Sequence, residues 1–492
     1  MFCHGVAPQN FYLFKHALVQ DAAYGTLLRA RRQELHARVA AMLEQNFADL
    51  VERQPELLAH HLTAAGDIER AVDQWLKAGQ NAAARSTPVE AVRHFERGLE
   101  ALSALPEGSA REGREIELQL ARGLSLFTAK GFSAAEAPNA YTRARELAER
   151  WGDPRQQFMA VFGLWQSANS AGRIRDCRRL SDQLLRLTAG TADDGLQLQA
   201  HHSAWATSMF AGNPAAAREH CDMGCRLYDP ERHRFHHLLY GGHDPGVCAG
   251  SIGAVVHWLL GYPEAIGGEA MTLAERIAHP FSRVLALLFS AMLCLERGEP
   301  DLALQRLETA EALASEQRLG FVWKPQFTRG GALSAQGAFE EAAAYLRAGL
   351  ASRLGALTFR PYGLACLAEA MAGKGEFGAS LDAAREGLKV QHEPGYGHWD
   401  AELHRLQGIA LLGLKQLDEG QRALEAALRV AKGQQAKAYE LRAAMSLARL
   451  WRDQGKVQQA RDLLAPVHGW FTEGFDTRDL KEPKALLDAL AS

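Results

Sequence analysis

Strand-forming sequence is what this chain has least of. Runs of Val, Ile and Thr with period-two alternation are almost absent, so there is little from which to build a sheet. Proline is sparse, at 17 of 492 residues, and with 47% hydrophobic and 23% charged residues the disordered and collagen-like classes are excluded. Net charge is small too. A formal charge of −3 over the whole chain gives no electrostatic footprint for nucleic acid or an anionic membrane. The most apolar run, Val284–Leu295, has 12 residues, against the roughly 20 that cross a bilayer. The opening MFCHGVAPQNFYLFKH lacks the basic-then-apolar order of a secretory signal. Seven cysteines (Cys3, Cys177, Cys221, Cys225, Cys248, Cys294 and Cys366) are odd in number and scattered, which fits buried small residues in a reducing compartment. These absences predict a cytoplasmic chain with neither nucleic acid nor membrane as partner.

What is present is helix. Ala, Leu, Arg, Glu and Gln dominate, all good helix formers. The stretch Gly330–Leu350, GGALSAQGAFEEAAAYLRAGL, reads as one helix end, a turn at Gln336-Gly337 and a second helix opening at Phe339. Its marks recur. Turn glycines fall at Gly172, Gly212, Gly261, Gly298, Gly337, Gly375 and Gly455, with Lys415 in the equivalent place. Five residues after each stands a mostly small residue: Cys177, Ala217, Ile266, Ala303, Ala342, Ser380, Gly420 and Ala460. The intervals between these are 40, 49, 37, 39, 38, 40 and 40. A glycine reaches φ > 0 where the chain leaves a helix, and a small residue lets the paired helix lie close. Neither helix buries its apolar stripe alone, so neighbouring units stack and share a core.

Four sections follow along the chain. Residues 1–50 differ from the rest: Phe11–Phe14 suggests a short strand with no partner in the segment, followed by amphipathic helices, so the segment reads as the remnant of another domain. Residues 51–150 form a first section of helical pairs, in which Thr87 is placed to cap a helix with Pro88 at its first position. Residues 151–469 hold the regular array, lengthened by an insertion around 227–247 that accounts for the 49-residue interval. Residues 470–492 supply a last amphipathic helix as a cap.

The positions Ala448, Gly455, Ala460 and Leu464, or Ala291, Gly298, Ala303 and Leu307, resemble the marks of a tetratricopeptide repeat, although that repeat usually runs about 34 residues. A more specific resemblance rests on FKHALVQDAAYGTLL (Phe14–Leu28), GHDPGV (Gly242–Val247), HPFS (His279–Ser282), Leu57–His61 with Trp75–Arg85, and Thr477–Leu487. In order and at both ends, these resemble the region that follows the ATPase in bacterial proteins with a class III adenylate/guanylate cyclase domain and an AAA-type ATPase domain. The resemblance implies an all-α, right-handed superhelical solenoid of tetratricopeptide-like hairpins. It implies a protein or peptide partner, including a cyclase or ATPase domain. Catalysis is not expected of this chain. No G-x-x-x-x-G-K-[ST] phosphate loop is present, and Gly373-Lys374-Gly375 lacks both the upstream glycine and the following hydroxyl. The reading is a non-enzymatic module for protein interaction or effector sensing in signal transduction. Its alternative is a fragment of a nucleotide-dependent enzyme whose catalytic domains lie upstream.

Candidate sites are few. His220, His233, His236, His237, His243 and His257 crowd around Cys221, Cys225 and Cys248, residue types that zinc prefers. No second pair stands at finger-like spacing, so the cysteines read as core filler and neither metal nor cofactor is expected. Asp244-Pro245-Gly246 reads as a turn. Projecting the repeat onto a solenoid places Phe162, Gln166, Asn169, His202, Phe210, Trp258, Lys324, Phe327 and Glu369 towards a concave partner-binding groove, with Trp165 and Trp205 in the core.

Overall fold

The computed structural model describes residues 2–4, 11–13, 22, 24–85, 87–130, 134–262, 267–317, 319, 325–352, 357–392, 395 and 397–491. Lys324 and Ile266 lie outside them. Two compact units are present, one of residues 1–129 and 143–153, the other of residues 130–142 and 154–492.

The first unit begins with a hairpin. Strands β1 (Phe2–His4) and β2 (Phe11–Leu13) pair antiparallel in the register Phe2↔Leu13, Cys3↔Tyr12, His4↔Phe11. The expectation of an unpaired strand is therefore corrected: the partner is a three-residue segment, too short to show alternation in the sequence. Helices α1 (Arg29–Asn46), α2 (Ala48–Arg53), α3 (Pro55–Ala65), α4 (Ile68–Ala84), α5 (Pro88–Leu102), α6 (Ser109–Lys130) and α7 (Glu136–Trp151) follow, the last contributing to both units. Trp75 and Phe95 pack with Ala78, Ala82 and Leu118 at the centre of α4, α5 and α6. Thr87 does not cap α5. Its hydroxyl turns back and donates to the Ala82 carbonyl at 3.0 Å, closing the preceding helix instead.

In the second unit the helices come in pairs: α8 (Pro154–Ser170) with α9 (Ile174–Thr188), then α10 (Asp194–Phe210) with α11 (Pro214–Leu227). The short α12 (His236–Leu239) lies within the insertion. The array resumes with α13 (Pro245–Leu259) and α14 (Gly267–Ile277), α15 (Pro280–Glu296) and α16 (Pro300–Glu316), and α17 (Pro325–Ala335) and α18 (Phe339–Ala351). It ends with α19 (Arg360–Gly373) and α20 (Phe377–His392), α21 (Asp400–Gly413) and α22 (Leu417–Gln434), α23 (Lys437–Asp453) and α24 (Val457–His468), and the terminal α25 (Arg478–Ala489). This is an all-α helical-repeat solenoid.

All eight turn positions have positive φ, from Lys415 at 64° to Gly261 at 93°. The same hydrogen bond closes each turn. At Gly337, for example, the Ala338 N–H donates to the Leu333 carbonyl at 2.9 Å and the Gly337 N–H to Ser334 at 3.0 Å. The small residues are where two helices touch: Cys177, Ala217, Ala303, Ala342, Ser380 and Ala460 are fully buried. At Gly330 a Cβ would come within 2.4 Å of Leu346 Cγ, so only glycine fits there without a shift.

The pairs also meet at long range, with a constant offset. The C-terminal end of a pair's first helix meets the start of the first helix five pairs later. The Thr358 hydroxyl donates to the Asn169 carbonyl at the end of α8, just before α19 opens. The Gly397 and His398 N–H groups donate to the Phe210 carbonyl at 3.0 and 3.3 Å, joining α10 to the start of α21. Trp258 of α13 meets Tyr439 of α23 edge to face at 5.6 Å. From α23, Arg442 reaches back to the Glu296 carboxylate at the end of α15 (2.8 Å) and across to Asp479 of α25 (2.7 Å). Each of these contacts spans more than 140 residues or ties into one that does, so successive turns of the solenoid seal against each other.

Candidate functional site

Sealing leaves a pocket on the inner side of the first helices. The α8 helix presents Phe162, Gln166 and Asn169 at i, i+4 and i+7, and α10 presents His202, Ala206 and Phe210 at i, i+4 and i+8, each set on one helical face. Cys248 and Ile252 of α13, together with Thr358 and Phe359 from the turn before α19, complete the wall. The cavity itself is small, about 50 Å³. Aromatic rings share this lining with polar side chains, among them Gln166, Asn169, His202 and His243. The Asn169 side-chain oxygen is buried and has no hydrogen-bond partner in the protein.

The insertion builds one side of this pocket. Gly241 and Gly242 have φ of 78° and 77°, a left-handed pair that turns the chain sharply into His243. Asp244 then caps α13, its carboxylate accepting from the Val247 N–H at 2.9 Å and from the Tyr228 hydroxyl at 2.9 Å. Its own N–H donates to the Ser282 hydroxyl at 2.9 Å. The Asp244-Pro245-Gly246 turn is thus a helix N-cap, and the GHDPGV and HPFS phrases are two halves of one anchor. Burial raises the Asp244 pKa above the usual carboxylate range.

The cap delivers His243 and Cys248 to His202. His243 Nε2 lies 3.2 Å from His202 Nε2, and Cys248 Sγ lies 3.5 Å from the same nitrogen. All three ligand atoms fall within 4.8 Å of one another, and all three residues are buried. His243 Nδ1 is 3.1 Å from the Gly241 carbonyl, and His202 Nδ1 is 3.0 Å from Gln199 Oε1. Gln199, fully buried, also holds His236 at 2.9 Å through its amide nitrogen. Burial keeps His202 well below the usual histidine range, lowers His243 to about 4 and pushes the Cys248 thiol up to about 12.

The residues projected towards an open groove separate accordingly. Phe162, Gln166, Asn169, His202 and Phe210 come together as pocket lining, and all but the half-buried Asn169 are buried. Trp258 is instead packed under the Arg442 guanidinium, 5.0 Å from its ring. Phe327 lines a neighbouring pocket with Phe289 and Tyr362, while Glu369 is exposed on α19. Trp165 and Trp205 are core residues, 3% and 0% exposed. Of the other crowded residues, His233 and His236 lie ring to ring at 4.8 Å, His220 pairs with His201 at 2.9 Å, and Cys225 is exposed. Sequence spacing misses the His202 partnership because it spans 41 and 46 residues. It misses Thr358 and Phe359 because they arrive from 189 residues beyond Asn169.

No model of a known protein family matches the chain. The uncharacterized protein R02095 of Rhizobium meliloti (strain 1021) is 27% identical over 466 residues, a match covering 90% of this chain and 44% of that protein. The chain thus spans less than half the length of this curated relative. Among solved structures, the APC/C hetero-tetramer Cut9–Hcn1 superposes with a TM-score of 0.52 at 14% identity, over 93% of this chain and 87% of that one. Rap protein complexed with competence and sporulation factor superposes at 0.49, with 14% identity, over 78% of this chain and 100% of that one. No helix among the described residues is long and apolar enough to cross a membrane. Turn chemistry, small-residue contacts and the likeness to Cut9–Hcn1 agree on one architecture: a helical-repeat solenoid of tetratricopeptide type.

Proposed function

We propose that the chain is a non-enzymatic tetratricopeptide-repeat module that takes one side chain of a peptide, or a small group of an effector, into its inner pocket and transmits that event to a partner domain. The observation that carries this reading is the aromatic-walled pocket with the buried, unpartnered Asn169 oxygen. A cavity of about 50 Å³ walled by aromatic rings and several polar side chains suits one small side chain or polar group of a ligand. The unpartnered oxygen is an acceptor waiting for a donor, because a buried polar group without one is costly. Crosslinking in the native cell tests the reading. The full chain should capture a specific partner or effector, and Asn169→Ala should weaken that capture about tenfold, the loss of one hydrogen bond, with unchanged thermal unfolding. Equal capture by both proteins would remove the pocket as the site.

The signalling context belongs to the same proposal. The ordered phrases support a position after the catalytic domains of a bacterial cyclase/ATPase-type protein in the cytoplasm, and the greater length of the Rhizobium relative is compatible with it. Sequencing the DNA upstream of Met1 tests it: an in-frame phosphate loop supports the context, and an immediate stop codon removes it.

A further inference from the structure

We propose that His202, His243 and Cys248 form a binding site for a zinc-class transition ion, with its fourth coordination position opening into the pocket. Two of the three edges match the coordination polyhedron, and the third, from His243 Nε2 to Cys248 Sγ, lies within 4.8 Å. Tetrahedral zinc with Zn–N near 2.0–2.1 Å and Zn–S near 2.3 Å sets N···N edges of about 3.3 Å and N···S edges of about 3.5 Å. The protein holds the two imidazole nitrogens 3.2 Å apart and the sulfur 3.5 Å from one of them.

Orientation supplies a second, independent reason. A backbone carbonyl only accepts, so His243 Nδ1 donates to Gly241 and leaves a lone pair on Nε2. Gln199 Oε1 likewise accepts from His202 Nδ1, which leaves a lone pair on that Nε2 as well. Two lone pairs then face each other at hydrogen-bond distance with no proton between them. A cation resolves that arrangement, and partners on the far ring nitrogens are what metal-binding histidines require to fix their tautomers. The buried Trp205 indole N–H is directed at Cys248, and a metal-bound thiolate would accept from it.

Two imidazoles and one thiolate suit zinc and its neighbours, and do not suit magnesium or calcium. On binding, the S–H bond of Cys248 breaks, the sulfur–metal bond forms and the proton leaves to solvent, so one thiolate offsets part of the ionic charge. All three residues line the pocket, which gives the ion a path in and leaves room for water or a donor from an occupant as fourth ligand. The competing arrangement needs no ion. With the Gln199 amide rotated, His202 would donate from Nε2 to His243, and the pair would be satisfied by a proton alone.

Cobalt separates the two arrangements. The full chain, stripped with chelator and titrated with Co²⁺, should develop a thiolate-to-cobalt charge-transfer band that saturates at one equivalent and is abolished by Zn²⁺. Cys248→Ser should remove the band, and both Cys248→Ser and His243→Gln should weaken Zn²⁺, measured against a chromophoric chelator, by about 100-fold or more. Cys225→Ser should change neither quantity. Absence of the band from the folded wild-type chain overturns the proposal without any variant. A band that survives Cys248→Ser also overturns it, because the ion then sits elsewhere.

Discussion

Lys415 holds φ of 64° at a turn whose equivalents include Gly375 at 83° and Gly455 at 77°. The hydrogen bonds are the same, with Gln416 N–H donating to Leu411 at 2.9 Å, so the left-handed backbone is imposed by the repeat and not chosen by the residue. A side chain in that region costs about 1 kcal/mol relative to glycine. Lys415→Gly is therefore expected to raise stability by about that amount in urea unfolding. At another residue the governing variable is pH. His398 is buried, its Nδ1 lies 3.2 Å from the Met209 carbonyl, and Trp399 and Tyr439 are its ring neighbours. Burial lowers its pKa from 6.5 to about 4. Between those values the unfolded chain takes up a proton that the folded chain refuses, so stability falls as pH drops from 6.5 towards 4. The share owed to His398 is at most about 3 kcal/mol. Replacing it with Asn, which still donates but does not titrate, should flatten the pH dependence of unfolding by that share.

At the scale of the element, the repeat unit was legible because its determinants are local. A glycine at φ > 0 and a small residue five positions later are short-range chemistry, so Gly337, Ala342 and their counterparts could be read in register. Ala342→Leu forces a larger side chain into a fully buried helix contact and should cost about 1–3 kcal/mol in thermal or urea unfolding. Two elements escaped for the same reason in reverse. The strand Phe2–His4 is three residues long and carries no period, and Thr87 closes the preceding helix, not the following one, because its hydroxyl finds the Ala82 carbonyl first. The candidate site was legible only by halves. Helical spacing put Phe162, Gln166, Asn169, His202 and Phe210 on inner faces, but no spacing rule joins His202 to Cys248 across an insertion whose path depends on two left-handed glycines.

For the repeat unit as a whole, the consequential feature is the contact between turns of the solenoid. Local pattern carries no information about pitch, so an open groove was the natural expectation. Pitch emerges from the summed rotation of every pair. Its result is that Phe210 meets Gly397 and His398, and Glu296 meets Arg442, which in turn meets Asp479. The buried Arg442 is tied to two carboxylates, so its loss would take the cation from Glu296 and leave Asp479 only the longer pair with Arg478 at 4.0 Å. These contacts turn an extended surface into a sealed wall beside the pocket, and the ligand reading depends on that wall. Site-resolved hydrogen exchange at Gly397 and His398 tests it most directly. Both amides bond to the Phe210 carbonyl of a turn some 189 residues away by the neighbouring His398–Met209 contact. If the turns are sealed, both amides exchange as slowly as those in the middle of α21. Exchange as fast as that of the exposed turn amides would mean the solenoid is open, and the pocket would not exist.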